Sequence, residues 1–165
     1  MSGERDEVVR MLRELRHNLL ITVRGLGDEQ AAQRTTVSEL TLGGILSHLT
    51  QGERAWTHIM LGRPGTPDRF WDLSQYQMPE GETLNGLMAH YMEAAGATDE
   101  AVESVTDLDG EVPLPEAPWA TGVVERWSRR RILLHLMRET AQHAGHADII
   151  RESMDGASTT AQLLS

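Results

Sequence analysis

Four stretches of this chain carry Leu, Val, Ile, Met and Ala at every third or fourth position, and Gly and Pro fill the gaps between them. Because an α-helix turns about 100° per residue, that spacing gathers the apolar side chains on one helical face. The first stretch runs from Glu4 to about Leu26 through Val8, Leu12, Leu15, Leu19 and Val23, and Gly25 and Gly27 end it. The second is expected from about Ser38 to Leu61. Thr36 and Glu39 have the spacing of a capping box, and Leu42, Ile45, Leu49, Trp56 and Ile59 form its stripe. A third helix is expected from about Glu82 to Val105, with Leu84, Leu87, Met88, Tyr91, Ala95, Val102 and Val105 in register. The fourth is expected to start at Ser128 as N-cap and to continue to Met154, with Gly156 as its stop. Such stripes are buried by packing helix on helix, so the chain is expected to be all-α, a four-helix bundle.

The connections carry information too. Residues 62–81 hold Gly62, Pro64, Gly65 and Pro67 beside Phe70, Trp71 and Tyr76, and read as a long crossover between helices two and three that lies over apolar surface and roofs a pocket. Pro113, Pro115 and Pro118 hold residues 106–125 out of helix. No alternating strand pattern, internal repeat or Gly-rich phosphate loop is legible. Residues 1–156 are expected to form one bundle domain and 157–165 a polar, poorly ordered tail.

Composition removes whole classes of chemistry. The chain has 165 residues and a formal net charge of -10, which argues against nucleic acid and anionic membrane as partners. No apolar stretch approaches the roughly 20 residues of a membrane span. The charged start, Gly3-Glu4-Arg5-Asp6, does not resemble a signal peptide, so a soluble, cytoplasmic protein is expected. There is no cysteine, which excludes disulfides, thiolate ligands and a cysteine nucleophile. Any reactive sulfur must arrive on a substrate. All fifteen basic residues are arginine, so neither a Schiff-base lysine nor a phosphate-loop lysine exists; the bias suits a high-GC bacterial genome.

The segment RILLHLMRETAQHAGHADIIRESM, Arg131 to Met154, concentrates the chemistry. His135, Glu139, His143 and His146 share an arc of about 80° on one helix. His143 falls within the apolar stripe and Glu139 at its edge, where a carboxylate is costly without a partner. Their i, i+4 spacing puts both ligand groups one turn apart, close enough to share an ion. On the second helix His48 flanks the buried face and is the best candidate for a third ligand. Two histidines and one carboxylate, with positions left open, are the usual donors of a catalytic metal site. The plainer reading is that these are hydrogen-bonded core residues. His17, His58 and His90 fall away from their stripes and receive no role. Arg131, one turn before His135, is a candidate for a substrate carboxylate, whereas Arg129 and Arg130 read as a solvated helix end. Of the tryptophans, Trp56 shares a face with His48 and is the candidate pocket residue; Trp71, Trp119 and Trp127 read as packing. Glu53, at the edge of the second stripe, is a possible partner for a ligand histidine but more simply a surface residue.

The runs LTLGGILSHLTQGERAW (Leu40 to Trp56) and WSRRRILLHLMRETAQHAGHADIIRESMDG (Trp127 to Gly156) resemble the DinB-like superfamily, of DinB/YfiT type, in its actinobacterial branch. The resemblance implies an up-down-down-up bundle, often a homodimer, with one divalent metal of the zinc, nickel or manganese class. It carries the ligand positions onto His48, Glu139 and His143. Many relatives have histidine where this chain has Glu139, while the mycothiol-dependent maleylpyruvate isomerases have glutamate. A rival set of His48, His143 and His146 stays open. Relatives include metal-dependent transferases and isomerases that use small thiols, and a high-GC actinobacterium would supply mycothiol. The expectation is therefore a thiol S-transferase or thiol-assisted isomerase acting on a small electrophile, with His146 or His135 as proton carrier. Its alternatives are a non-catalytic metal-binding bundle and a thiol-independent biosynthetic isomerase or cyclase.

Overall fold

The computed structural model describes residues 3–72, 76–120 and 122–164. Met1, Ser2, residues 73–75 of the expected crossover, Thr121 of the Pro-rich connection and Ser165 of the expected tail lie outside the described residues. Four long helices make the bundle: α1 (Glu4–Thr22), α3 (Leu42–Met60), α4 (Leu84–Ser104) and α5 (Arg129–Asp155). Among the described residues no helix is long and apolar enough to cross a membrane.

Each long helix starts or stops where its sequence supplies a partner for the free backbone groups at its end. Ser128 Oγ accepts from Arg131 N at 3.1 Å, and Gly156, left-handed at φ 78°, closes α5. Thr83 caps α4 by accepting from Gly86 N at 3.1 Å. For α3 the expected Thr36–Glu39 box is not the cap. Thr41 accepts from Gly44 N at 3.0 Å, so the helix begins at Leu42, while Thr36 accepts only from Ser38 N and Glu39 pairs with Arg34. The first helix stops at Thr22 rather than Leu26. Gly25 has a positive φ and Gly27 is extended, and a five-residue helix α2 (Asp28–Ala32), too short to show periodicity, follows.

Two further differences lie in the connections. A two-stranded antiparallel hairpin, β1 (Glu111–Pro113) with β2 (Arg126–Ser128), pairs Val112 with Trp127. Three-residue strands containing a proline leave no alternation to read. Beyond Gly156 the expected tail residues Thr159–Leu163 form a short helix, α6, and Thr159 N donates to Asp148 at 2.7 Å.

Helix directions follow from which residues meet. Leu42 and Ile45 of α3 share an apolar cluster with Leu84 and Leu87 of α4, and further along Thr57 meets Thr98 at 2.8 Å. α3 and α4 are therefore parallel. Val9 of α1 and Ile132 of α5 share the second cluster with Ile59 and Met60, at the far end of α3, while Leu19 and Ile150 share the first with Leu42. α1 and α5 thus run opposite to α3, which gives the up-down-down-up order. A parallel pair must be joined end to end, and α3 is about 28 Å long at 1.5 Å per residue, so residues 61–83 have to travel back along the bundle.

Between the two apolar clusters lies a buried polar layer. Glu53, only 1% exposed, receives Arg16 Nε at 2.7 Å and Arg16 Nη2 at 3.0 Å, and also the hydroxyl of Thr98 at 2.5 Å. Arg16 Nη1 reaches Asp99 at 2.7 Å. Neither surface exposure nor pairing with a ligand histidine describes Glu53: an arginine on α1 claims it. The other arginines also tie elements together. Arg129 Nε donates to the α3 terminal carbonyl of Met60 at 3.0 Å, Arg130 joins Glu4 to Asp109, and Arg151 Nη1 donates to the carbonyls of Thr22 and Arg24 at 2.9 Å each. The basic run is thus not a solvated end.

Candidate metal centre

α3 and α5 pack side by side, and their facing turns bring His48, Glu139 and His143 together. His48 Nε2 lies 3.6 Å from Glu139 Oε2, and His143 Nε2 lies 3.8 Å from the same oxygen. The three ligand atoms all fall within 4.8 Å of one another, a cluster that could hold a metal ion. Donors around a four-coordinate ion with bonds of about 2.0–2.1 Å lie roughly 3.4 Å apart, close to the two contacts that Glu139 Oε2 makes with the imidazoles.

The protonation of the set suits a cation. The approach of His48, an electrostatic contact rather than a formed hydrogen bond at 3.6 Å, pulls the Glu139 carboxyl down to about 2 against the opposing effect of burial. Arg138, donating to Oε1 at 2.7 Å, assists. Burial, with repulsion from the neighbouring His48 and His146, pushes His143 down to about 4. At neutral pH the cluster therefore presents an ionised oxygen and at least one neutral imidazole nitrogen, the forms in which these groups bind metals. The other side of His143 is engaged as well: its Nδ1 lies 3.4 Å from His146 Nδ1. That places His146 at the nitrogen opposite the Glu139 contact. Tyr76, from the crossover, lays its ring 4.8 Å from His48 and 6.0 Å from His143.

The crossover reaches the cluster because α3 begins with glycines. A Cβ on Gly44 would stand 1.8 Å from the carbonyl oxygen of Tyr76, so only glycine lets that backbone lie against the helix. Beyond the cluster opens a cavity of about 360 Å³, walled by His48, Gln51, Trp56, Phe70, Trp71, Trp119, His135 and Glu139. This is the size of a small-molecule site. A second cavity of about 460 Å³, with Arg54, His58 and Thr66 in its wall, shares Gln51, Ala55, Asp68 and Arg69 with the first. Buried Gln51 Oε1 and His48 Nδ1 have no hydrogen-bond partner among the described residues.

The remaining sequence candidates divide between cavity and surroundings. His135 and Trp56 line the cavity, as do Trp71 and Trp119, which the sequence reading placed in packing. Their pocket role had no periodic signal, since both sit in irregular connections. Trp127 stacks behind Trp56. Arg131 is exposed, with its guanidinium 4.0 Å above the Trp127 ring and 3.6 Å from Glu125, and is not part of the cavity wall. Burial lowers the pKa of His135, and its Nδ1 lies 3.0 Å from Arg138 Nη2. His17 and His90 are exposed, and His58 Nε2 meets the carbonyl of Pro64 at 3.1 Å.

An up-down-down-up bundle with a three-donor cluster between its second and last long helices has the architecture of the DinB-like class. The fold recurs in a solved structure: the crystal structure of a conserved protein from Enterococcus faecalis superposes with a TM-score of 0.74 over 95% of this chain and 100% of the other, at 11% identity. The sequence profile of the mycothiol S-transferases matches residues 7–156, and the chain belongs to that family. Membership implies chemistry of the mycothiol S-transferase kind. No match was found among curated proteins.

Proposed function

We propose that the protein is a divalent-metal-dependent S-transferase that joins mycothiol to a small electrophile. The observation that carries this reading is the cluster itself: one ionised carboxylate and two imidazoles converge, and two of the three, His48 and Glu139, line a cavity of small-molecule size. His48, Glu139 and His143 would hold the ion. When bound, a divalent cation supplies a Lewis-acid position that lowers the pKa of a neighbouring thiol, so that thiolate is available at neutral pH. A chain without cysteine leaves the sulfur to the substrate.

The surrounding side chains set the site. His146 fixes the ring of His143 from its far nitrogen, the usual place for a partner that orients a ligand histidine. Arg138 serves two groups, holding Glu139 Oε1 and donating to His135 Nδ1. A neutral His135 that accepts at Nδ1 carries its proton on Nε2, so it donates to an incoming group rather than taking a proton from it.

The test is direct. Protein purified without a nickel column and dialysed against zinc should retain about one ion per chain by elemental analysis. His48→Ala, Glu139→Ala and His143→Ala should each lose it. Mycothiol should then be consumed by wild type in the presence of an alkylating electrophile and not by the three variants. Wild type that binds no divalent ion, or that binds one yet never consumes thiol, would refute the reading.

A further inference from the structure

The chain has only four tryptophans, two tyrosines and one phenylalanine, yet every tryptophan and the phenylalanine belong to one continuous run of rings. Trp119 meets Trp71 at 5.0 Å between centroids, Trp71 meets Phe70 at 4.7 Å, and Phe70 meets Trp56 at 5.3 Å, all near edge-to-face. Trp56 stacks on Trp127 with planes 8° apart and meets His135 at 4.5 Å. The run begins in water, at an indole 71% exposed, and ends at His135, one turn from Glu139.

No tryptophan is among the fully buried side chains, and the buried members of the two apolar clusters are non-aromatic apart from Tyr91. Trp56, Phe70 and Trp127 pack against the second cluster from its rim, whereas among the described residues Trp71 and Trp119 pack against neither and are left to the cavity. Indoles left partly in water around a cavity gain by covering an apolar guest. Their faces are electron-rich, so the guest that complements them is flat and electron-poor. Four of the rings, Trp56, Phe70, Trp71 and Trp119, wall the cavity that also contains His48 and Glu139.

We propose that this wall binds the second substrate, a planar electron-poor aryl electrophile bearing a halide or similar leaving group. The inference deepens the S-transferase reading and rests on it. Electron withdrawal serves twice, strengthening the stack on indole and making the ring carbon open to attack. The thiolate sulfur forms a bond to the carbon that carries the leaving group, and the carbon–halide bond breaks with its electron pair going to halide. Thiol and aryl halide thus give thioether, halide and the thiol's proton, which passes to solvent. The adjoining polar cavity, with Gln51, Arg54, His58 and Arg69, leaves room for the hydrophilic body of the thiol.

The probe is 1,3-dinitrobenzene, a flat electron-poor ring without a leaving group, titrated into zinc-loaded protein while tryptophan fluorescence is followed. Saturable quenching is expected in wild type. Trp71→Ala and Trp119→Ala should weaken it about tenfold, the loss of one stacking partner with its buried area, and Trp119→Phe should weaken it less. Because Trp119 is exposed, its variants report on the wall and not on folding. Quenching that does not saturate, equal affinity in the variants, or displacement by tetramethylammonium would overturn the proposal, the last by marking a cage for cations. The two readings fail separately. If zinc binds and mycothiol is consumed by iodoacetamide while dinitrobenzene does not bind, only the aryl wall is wrong; if wild type binds no zinc, the S-transferase reading falls whatever the probe does.

Discussion

His143 shows how much one side chain's surroundings decide. It sits in the apolar stripe of α5, 5% exposed, and burial together with two neighbouring imidazoles holds its pKa near 4. In the unfolded chain the same group titrates near 6.5. The unfolded state therefore binds the proton first as pH falls, and stability from His143 is present above pH 6.5 and lost on the way down to pH 4. Glu139 acts in the same direction lower down, since its depressed pKa contributes stability above about 4.5 that is lost as pH falls towards 2. For metal-free protein the unfolding free energy from urea titration, and with it the midpoint, should fall from pH 7 to pH 4.5, the free energy by at most about 1.4 kcal/mol per pH unit from His143. His143→Gln should flatten that slope. A midpoint indifferent to pH over this range would show that His143 is not held neutral. Spacing alone revealed His143 and Glu139, because i, i+4 on one face is a local property. The contact between His143 and His146 is local in the same way. Glu53 was not legible, because its partner Arg16 lies 37 residues away and nothing in either sequence neighbourhood points to the other.

At the scale of elements, the start of α3 does the positioning. Gly44 admits the backbone of Tyr76, and the Tyr76 ring then flanks His48 one turn further along. Gly44→Ala should push the crossover off the helix, at a cost of about 1–3 kcal/mol for overpacking, and weaken zinc binding about tenfold through the disturbed surroundings of His48. Gly145→Ala is the control: a Cβ there meets nothing within 4 Å, and replacing a mid-helix glycine should stabilise by about 0.5–1 kcal/mol. Calorimetric zinc titration and urea unfolding of both variants check this, and unchanged zinc affinity in Gly44→Ala would remove the glycine from the argument. The four long helices were legible because twenty residues of periodic apolar side chains average out local noise. The boundary of α3 was missed for a specific reason: Thr36 and Thr41 both resemble caps, and the close approach of Tyr76, far along the chain, selects the second. The hairpin and the short helices α2 and α6 fall below the length at which periodicity is informative.

Across the whole molecule, the polar layer of Arg16, Glu53, Thr98 and Asp99 divides two apolar clusters and joins α1, α3 and α4 at one level. Removing one partner leaves the other charged and buried. Glu53→Ala should therefore cost about 3 kcal/mol, while the double replacement Arg16→Met with Glu53→Leu should recover most of it. Urea unfolding of the three proteins decides, and a single variant costing less than about 1 kcal/mol would mean that water or Asp99 already satisfies Arg16.

The parallel course of α3 and α4 reaches beyond topology. It obliges the chain to lay a long strap across the bundle, and that strap carries Phe70 and Trp71 to the cavity, while Trp119 comes from the connection that leads to the hairpin. The cluster of His48, Glu139 and His143 belongs to two long helices, whereas much of the wall of the adjoining cavity belongs to loops. Substitution or lengthening of those loops can thus reshape the cavity while His48, Glu139 and His143 keep their places, so a lineage built on this scaffold is free to change which molecules fit without rebuilding the cluster beside them.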